Sequence, residues 1–435
     1  MIGNFFHHPA MAISQPDLDF DFTSASLDSM VSFVRTTNAT NPATYVASNG
    51  YIVLSNDNEP RFDYDPENLF CRGLLIEEAR TNLLRYSSVF DNAAWTTIPP
   101  LTGASWLPNA STSPDGSNTA YKLMEDTSTG LHQFKPYIAS AASANRALSF
   151  YVKGAGRTNV RFGFGNSDPA DFVIFNMNTG FFSSKGAGIA NATATNAGNG
   201  FWRVSLYRSA TSASANYIFV QLLNDLLNTS YTGDGTSGIF IWGSQLEAGA
   251  STTSYIPTSA TALTRNADVA TITGTNFSGF WQAGKGSALV RARPGTVSGT
   301  RPWVQFDDAT ADNIIALRGN TTNPELYIRG SGSDQAQIDA GTIAANVSYR
   351  LAGAWATNDC AASINSGTPV RDGVATIPVV TQARLGSDGT NYLNGHLEAI
   401  EYYDDRQRNS ALQILSSQAG RRSILNPIIK NSIFA

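Results

Sequence analysis

The segment Asp17-Leu-Asp-Phe-Asp-Phe22 alternates polar and apolar side chains at every second residue. This alternation is typical of a half-buried β-strand, because successive side chains of a strand point to opposite faces of the sheet. Comparable short runs recur along the chain: Ala147-Leu-Ser-Phe-Tyr-Val152, Asn159-Val-Arg-Phe-Gly-Phe164, Asp171-Phe-Val-Ile-Phe175, Phe201-Trp-Arg-Val-Ser-Leu-Tyr207 and Tyr349-Arg-Leu-Ala-Gly-Ala-Trp355. Many short strands at such spacing predict antiparallel β-sandwiches or jelly rolls.

The composition also indicates an all-β chain. Charged residues make up 14% of the 435 residues, against roughly 25% in an average globular protein. Serine, threonine, asparagine, alanine and 37 glycines replace them, and aromatic residues reach 11%. Helical proteins use many Glu and Lys on their exposed faces, so we expect a folded, β-rich chain with neutral polar outer faces. One short helix is predicted near the C-terminus, within residues 406–418.

Charge, hydropathy and cysteine content exclude several classes of protein. The formal net charge is −5, whereas sequence-independent nucleic-acid binding needs a basic surface. No apolar run approaches the roughly 18 residues that span a bilayer, so we expect no membrane insertion. Two cysteines, Cys71 and Cys360, cannot form a disulfide framework or a four-ligand metal site. We expect a chain made in a reducing cytosol, without a cofactor.

The pattern divides the chain into three folded regions and a tail. A β-rich N-terminal segment covers residues 1–86, one sandwich covers residues 87–258, and a second covers residues 270–418, with residues 259–269 as the connector. The tail, residues 419–435, is too apolar for a free solvated end. We expect it to pack on this chain or on a neighbour.

Several motifs occur together in one order and carry a family resemblance. They are Leu74-Leu-Ile-Glu-Glu-Ala-Arg-Thr-Asn-Leu-Leu84, Pro114-Asp-Gly-Ser-Asn-Thr-Ala120, Ile241-Trp-Gly-Ser-Gln-Leu-Glu-Ala-Gly-Ala250 and Thr253-Ser-Tyr-Ile-Pro-Thr258. They resemble bacteriophage head-fibre, head-spike or tail-fibre-like virion proteins that have a carbohydrate-binding-module-like jelly roll. Residues 386–403 resemble a concanavalin A-like, laminin-G-type sandwich.

The resemblance implies a phage virion protein, made in the host cytoplasm, that displays a sugar-binding or host-binding surface. In this interpretation residues 1–86 attach the chain to other virion proteins, the partner is a host surface glycan, and the unit is a homo-oligomer, with a trimer favoured. A decoration protein without a ligand is the nearest alternative, and a polysaccharide depolymerase is the third. We expect no enzyme, because no nucleophile elbow, zinc-protease motif or carboxylate pair stands out.

Candidate site residues are aromatic rings and aspartates in turns. Trp106, in a loop-like stretch, and Tyr392, after the Asp388-Gly turn, are expected to be exposed and to contact a sugar together with Asp388. Asp115 and Asp234 also precede glycine, and either could be a plain turn residue or a ligand of a structural Ca²⁺. The second sandwich is expected to face the ligand, because its loops at residues 307–308, 330–334 and 388–392 are polar and glycine-rich.

Overall fold

The computed structural model describes residues 14–35, 43–95, 100–138, 145–165, 171–209 and 217–417. The first strands are β1 (Leu18–Asp21), β2 (Ser32–Val34), β3 (Ala43–Val46), β4 (Ile52–Ser55), β5 (Phe62–Tyr64), β6 (Cys71–Ile76), β7 (Arg80–Asn82), β8 (Leu101–Thr102), β9 (Ala104–Ser111), β10 (Ala120–Glu125), β11 (Thr129–Leu131) and β12 (Gln133–Phe134). The next are β13 (Arg146–Ala155), β14 (Asn159–Phe164), β15 (Asp171–Asn176), β16 (Phe181–Lys185), β17 (Ile189–Asn196), β18 (Trp202–Arg208), β19 (Ile218–Leu222), β20 (Ser230–Thr232), β21 (Gly238–Ala248) and β22 (Leu263–Arg265). The last are β23 (Val269–Thr273), β24 (Lys285–Pro294), β25 (Thr300–Asp307), β26 (Ile314–Asn320), β27 (Asn323–Gly330), β28 (Ser333–Asp339), β29 (Tyr349–Ala356), β30 (Cys360–Ile364), β31 (Val370–Asp372), β32 (Gln382–Leu385) and β33 (Gly395–Tyr403).

The all-β prediction is confirmed, since the described residues form antiparallel sheets with very little helix. Helix α1 (Gly274–Ser278) was not expected from the sequence, whereas α2 (Asn409–Leu415) lies within the predicted C-terminal helix. Short 3₁₀ turns occupy Phe22–Ser24 and Ala93–Trp95. No helix in the described ranges is long and apolar enough to cross a membrane.

The chain divides into two compact units, and this division differs from the predicted boundaries. The C-terminal unit takes its described residues from Met1–Arg35, Arg72–Glu78 and Asp268–Ala435, and the central unit takes them from Thr36–Cys71 and Ala79–Ala267. The N-terminal segment, residues 1–86, is therefore shared between the two units, because its strands pair with strands far along the chain. The predicted tail, residues 419–435, lies outside the described residues.

Two facing sheets build the C-terminal unit. One sheet has the order β31-β30-β29-β24-β33-β6, with β1 also paired to β33, and the other has the order β2-β23-β32-β25-β26-β27-β28. Gly353 of β29 lies against the second sheet, where a Cβ at this position would be 2.6 Å from Leu317 Cδ2. Helix α2 packs on β29 and β30 through Leu412 and Leu415, over small buried alanines. The core of this unit therefore lies between its own two sheets.

The central unit is a second sandwich. Its sheets have the orders β17-β18-β13-β21-β10-β9 and β16-β15-β14-β19-β12-β8, and the pairs β3–β4, β7–β22 and β11–β20 lie outside them. Alternate residues of both sheets point inward and form one buried cluster, which includes Phe150 of β13 and Phe162 of β14 with ring centroids 5.5 Å apart. The apolar faces that the period-two alternation predicts for these strands are thus the faces that enclose this core.

A buried amide joins three segments of the central unit. Asn82 donates Nδ2–H to the carbonyl oxygens of Ser244, at 3.1 Å, and Ile256, at 2.9 Å. Its Oδ1 accepts the backbone N–H groups of Leu84 and Leu246, each at 3.1 Å. An amide side chain offers two donor hydrogens and two acceptor lone pairs, so every hydrogen-bonding position of Asn82 is occupied.

Two neighbouring side chains extend this arrangement. Glu247 accepts the N–H of Thr253 at 2.9 Å and its hydroxyl at 2.6 Å, and it accepts Nε2–H of Gln245 at 2.9 Å. Gln245 Oε1 in turn accepts the N–H of Ile256 at 2.7 Å. We call Asn82, Gln245 and Glu247 the clasp, because together they fasten the chain that follows β21 back onto β21 and β7.

The clasp predicts a large loss of stability for Asn82→Ala. The substitution leaves buried N–H and C=O groups without partners, and we expect the free energy of unfolding of the central unit to fall by about 3 kcal/mol or more. Thr81→Val is the matched control, since it removes only an exposed hydroxyl pair with Thr264 and should change stability by less than about 0.5 kcal/mol. Urea titration followed by fluorescence measures both, and equal midpoints for the two variants would contradict the role of the clasp.

Candidate functional site

A groove of about 660 Å³ opens on the C-terminal unit. Its volume lies within the roughly 300–1,000 Å³ that is typical of small-molecule sites. The lining residues come from three stretches of chain: Asp308 and Asn313; Gly330, Ser331, Ser333 and Gln335; and Thr376, Ile377, Pro378, Val379 and Thr381. Because each stretch follows or precedes a strand of the same sheet, the strand ends hold them side by side.

Turn chemistry shapes the first two stretches. The β27–β28 hairpin turns through Ser331 and Gly332, which have φ angles of 48° and 75°, as expected for the left-handed turns that join two strands tightly. Asn313 connects this turn with the loop after β25. Its Oδ1 accepts the N–H of Ser331 at 3.0 Å, and its Nδ2–H is donated to Asp308 at 2.8 Å.

Asp308 is the carboxylate of the groove. Besides Asn313, it accepts the hydroxyl and the N–H of Thr310, at 2.5 Å and 3.0 Å. The hydrogen bonds from Thr310 and then from Asn313 hold the pKa of Asp308 below its ordinary value of 3.8. The carboxylate is therefore ionised at neutral pH and can accept further hydrogen bonds from a ligand.

The opposite side combines an amide with an apolar strip. Gln335 Oε1 accepts the hydroxyl of Thr376 at 2.6 Å. Gly330 lies beside the amide and the strip, since a Cβ there would be 3.4 Å from Gln335 Cγ and 3.9 Å from Pro378 Cβ. Beyond Thr376 the chain presents Ile377, Pro378 and Val379, and Val379 is 70% exposed. One groove thus offers the hydrogen-bonding groups of Asp308, Asn313 and Gln335 together with a hydrocarbon surface.

The structure brings together two of the three loops expected to face a ligand. The loop at residues 307–308 and the hairpin at residues 330–334 both contribute to the groove, whereas Asp388 and Tyr392 do not line it. Asp388 accepts the N–H groups of Thr390, at 2.8 Å, and Asn391, at 2.7 Å, and so holds its own turn.

The expected exposure of Tyr392 is corrected. Only 9% of this residue is exposed, and its burial raises the pKa of the phenol. Residues 387 and 392 form a β-bridge, and Leu393 donates its N–H to Gly386 at 2.8 Å, so the chain turns inward at this point. A residue buried to this extent leaves little ring surface on which a sugar could stack.

The expected loop position of Trp106 is also corrected. Trp106 lies inside β9, paired with Leu123 of β10. Its ring packs on the core of the central unit, with centroids 5.2 Å from Phe90 and 5.0 Å from Phe134. Glycine and proline nearby suggested a loop, but β9 continues past Pro108, and alternation turns Trp106 inward and Leu107 outward.

Asp115 and Asp234 are turn residues in this structure. Asp115 Oδ1 accepts the N–H of Ser117 at 3.0 Å and its hydroxyl at 2.7 Å. Asp234 accepts both groups of Ser237 at 2.6 Å, and these bonds, with those from Thr236, lower the pKa of Asp234. Within the described ranges no three His, Cys, Asp or Glu residues gather as a metal site would require. Calcium at Asp115 or Asp234 stays a prediction, and both carboxylates already serve their own turns.

Sequence reasoning missed the third stretch of the groove. The run Thr376-Ile-Pro-Val-Val380 is apolar and was not assigned to any site. Its proline was the available signal, because proline is confined to edges and ends of sheets, where side chains can remain exposed.

No protein-family model and no curated protein sequence matches the chain. Among solved structures, it is similar to the CBM40 of the Ruminococcus gnavus IT-sialidase bound to alpha2,3 sialyllactose, with 13% identity, 31% of this chain and 84% of that chain covered, and a TM-score of 0.26. The NanB sialidase from Streptococcus pneumoniae has 10% identity over 33% of this chain and 26% of that chain, with a TM-score of 0.26. Mouse laminin alpha1 domains LG4-5 have 8% identity over 66% of this chain and 88% of that chain, with a TM-score of 0.22.

None of these three structures is described as a phage protein. At such low scores, the function has to be inferred from the residues of this chain.

The burial of Tyr392 predicts a structural role for its ring. We expect Tyr392→Ala to lower the free energy of unfolding of the C-terminal unit by about 3 kcal/mol, because a buried ring leaves a cavity. Tyr392→Phe keeps the ring and should change stability by less than about 1 kcal/mol. Chemical denaturation of both variants checks this, and a stable Tyr392→Ala protein would show that the ring is not packed as described.

Proposed function

We propose that the chain is a non-catalytic carbohydrate-binding protein and that the groove of the C-terminal unit holds a neutral sugar. The observation that carries the proposal is the pairing of Asp308, Asn313 and Gln335 with an apolar strip across one groove. A pyranose has the matching surface, with hydroxyl groups around its edge and C–H groups on its faces.

Each side of the groove has a distinct task in this proposal. The ionised Asp308 accepts hydrogen bonds from two sugar hydroxyls, and hydrogen bonds to a charged group are the stronger kind. Gln335 fixes the orientation of the sugar, because an amide both donates and accepts. Pro378 and Val379 cover a C–H face of the ring. No cation lines the groove among its described residues, which favours a neutral sugar.

The residues that line the groove also favour binding without hydrolysis. Glycoside hydrolysis ordinarily needs two carboxyl groups, about 5–10 Å apart, on either side of the scissile bond. Asp308 is the single carboxylate among the described residues that line the groove. A depolymerase would therefore need its second acid from elsewhere.

We further propose that the protein acts on a phage particle, as a fibre, spike or decoration subunit. The support is the ordered set of sequence motifs that resemble virion proteins. Many weak sites on one particle raise avidity for a glycan-coated surface, which fits a shallow groove. In this proposal residues 1–86 contact other virion proteins and the chain forms a homo-oligomer, with a trimer favoured.

Purified particles test the virion proposal. Mass spectrometry should find the chain among the structural proteins, in a copy number divisible by the order of its oligomer in solution. Its absence from purified particles would refute the virion role while leaving carbohydrate binding untouched.

Substitutions in the groove test the sugar proposal. On an array of neutral glycans, we expect Asp308→Asn to weaken binding by about 1.5–3 kcal/mol, because a charged hydrogen-bond acceptor is lost. Val379→Ser should weaken binding by about 0.5–1 kcal/mol by removing exposed hydrocarbon, without disturbing the core. Asp388→Asn is the matched control, since Asp388 holds a similar turn outside the groove.

The outcomes separate the alternatives. Loss of binding in both groove variants but not in Asp388→Asn supports the groove. Equal binding by all variants rejects it. Absence of binding by the unmodified protein favours a decoration protein without a ligand, and release of oligosaccharides would identify a depolymerase.

A further inference from the structure

The sheet of the central unit with the order β16-β15-β14-β19-β12-β8 has two unlike faces. Val160, Phe162, Val173 and Val220 point into the sandwich and are buried. The residues between them in sequence point the other way. We call that side of the sheet the outer face.

Polar side chains form a row across the outer face. Strand register places Arg161 between Ile174 and Gln221, and Gln221 opposite Gln133. Arg161 donates Nη1–H to Gln221 Oε1 at 2.9 Å, and Gln221 donates Nε2–H to Gln133 Oε1 at 2.7 Å. The row is therefore ordered without a ligand.

Aromatic rings border this row. The guanidinium carbon of Arg161 lies 4.1 Å from the ring centroid of Phe172 and 5.6 Å from that of Phe219. Gly163 is the register partner of both phenylalanines, and a Cβ there would be 2.6 Å from Phe219 Cζ. The missing side chain thus gives Phe219 room to lie over β14, while Phe172 remains partly exposed.

A second cation lies on the aromatic side of the row. Lys135 Nζ is 5.2 Å from the ring centroid of Tyr217, and Tyr137 meets Tyr217 edge to face with centroids 5.3 Å apart. Lys135 is partly exposed, as are both tyrosines. Aromatic rings and cations here offer one ligand both an apolar platform and a positive charge.

The outer face is cationic in a chain that is acidic overall. Arg161 and Lys135 are the charged side chains among the described residues of this face, and none of the residues named for it is Asp or Glu. The whole chain, in contrast, has a formal net charge of −5. A nucleic acid would need a broader basic surface. Amides, partly exposed rings and two cations instead match a sugar polymer that carries carboxylates.

We propose that the outer face is a second carbohydrate site and that it binds an acidic oligosaccharide. A sugar ring lies against the exposed part of Phe172, its hydroxyl groups meet the partly exposed Gln221, and its carboxylate lies near Arg161 and Lys135. This site uses other residues, another unit and another class of sugar than the groove, so either site can fail without the other.

The test uses the full chain and defined polymers. Alginate, hyaluronate and polygalacturonate are immobilised, each beside its carboxyl-reduced form, and binding is measured by biolayer interferometry at low and high salt. We expect at least one acidic polymer to bind, and its reduced form to bind about fivefold more weakly. Binding should weaken further at high salt, because exposed charges are screened.

Variants locate the site. Phe172→Ala and Lys135→Gln should each weaken binding to the acidic polymer by about fivefold. Lys135→Gln is the safer variant for folding, because it replaces a partly exposed side chain, and it should also reduce the salt dependence. Lys185→Gln is the matched control, since the register partner of Lys185 is the core residue Val173, and Asp308→Asn is the control from the groove.

Three results with the polymers and the two outer-face variants would overturn the proposal. They are the absence of binding to every acidic polymer, equal binding to acidic and reduced polymers, and unchanged binding by both Phe172→Ala and Lys135→Gln. A loss as large in Lys185→Gln would also overturn it, because it would indicate attraction by net charge alone. Loss of acidic binding in Asp308→Asn would show that the groove, and not the outer face, takes the polymer.

Discussion

The central unit depends on one saturated amide. The side chain of Asn82 makes four hydrogen bonds, two as donor and two as acceptor, to backbone groups of three separate segments. Gln245 and Glu247 form further hydrogen bonds to the chain that follows β21. Backbone groups buried here are shielded from solvent, so each needs a hydrogen-bonding partner within the protein. Three of the sequence motifs, those around Asn82, at residues 241–250 and at residues 253–258, supply the residues that make these bonds. Because these motifs meet in the clasp, they account for the scaffold of the central unit and give no information about a ligand.

This separation of scaffold and site explains what the sequence could predict. Period-two alternation in segments such as Asp17 to Phe22 is a local property, so the all-β fold followed from it. Pairing is not local. Leu18 lies opposite Tyr402 and Ser32 opposite Thr271, and no short-range pattern announces such partners. The boundary predicted at residue 86 therefore differs from the two units of the structure, each of which is assembled from separate stretches of the chain.

Exposure was harder to predict than strand content. Trp106 and Tyr392 lie near glycine, proline and Asp-Gly turns, which ordinarily mark surface loops. In the structure Trp106 points inward because of the side-chain alternation along β9. Tyr392 is buried where the β-bridge with Ser387 turns the chain inward. The groove was partly foreseen, because the polar turns at residues 307–308 and 330–334 have a recognisable composition. The apolar strip of the groove was not predicted, because the sequence Ile-Pro-Val does not differ from that of an ordinary strand end.

The pairing of β1 with β33 has a consequence for the order of events during synthesis. Leu18 and Phe20 are buried in the finished unit. However, β33 emerges from the ribosome only after most of the chain has been made, which at 5–20 residues per second means a wait of about 20–75 seconds. During that time β1 is a nascent strand with no partner, the state in which chains aggregate. Asp17, Asp19 and Asp21 alternate with its apolar residues, and charges in such positions act as gatekeepers against wrong pairing. The aspartates of the alternating pattern thus protect β1 from wrong pairing until β33 has been synthesised.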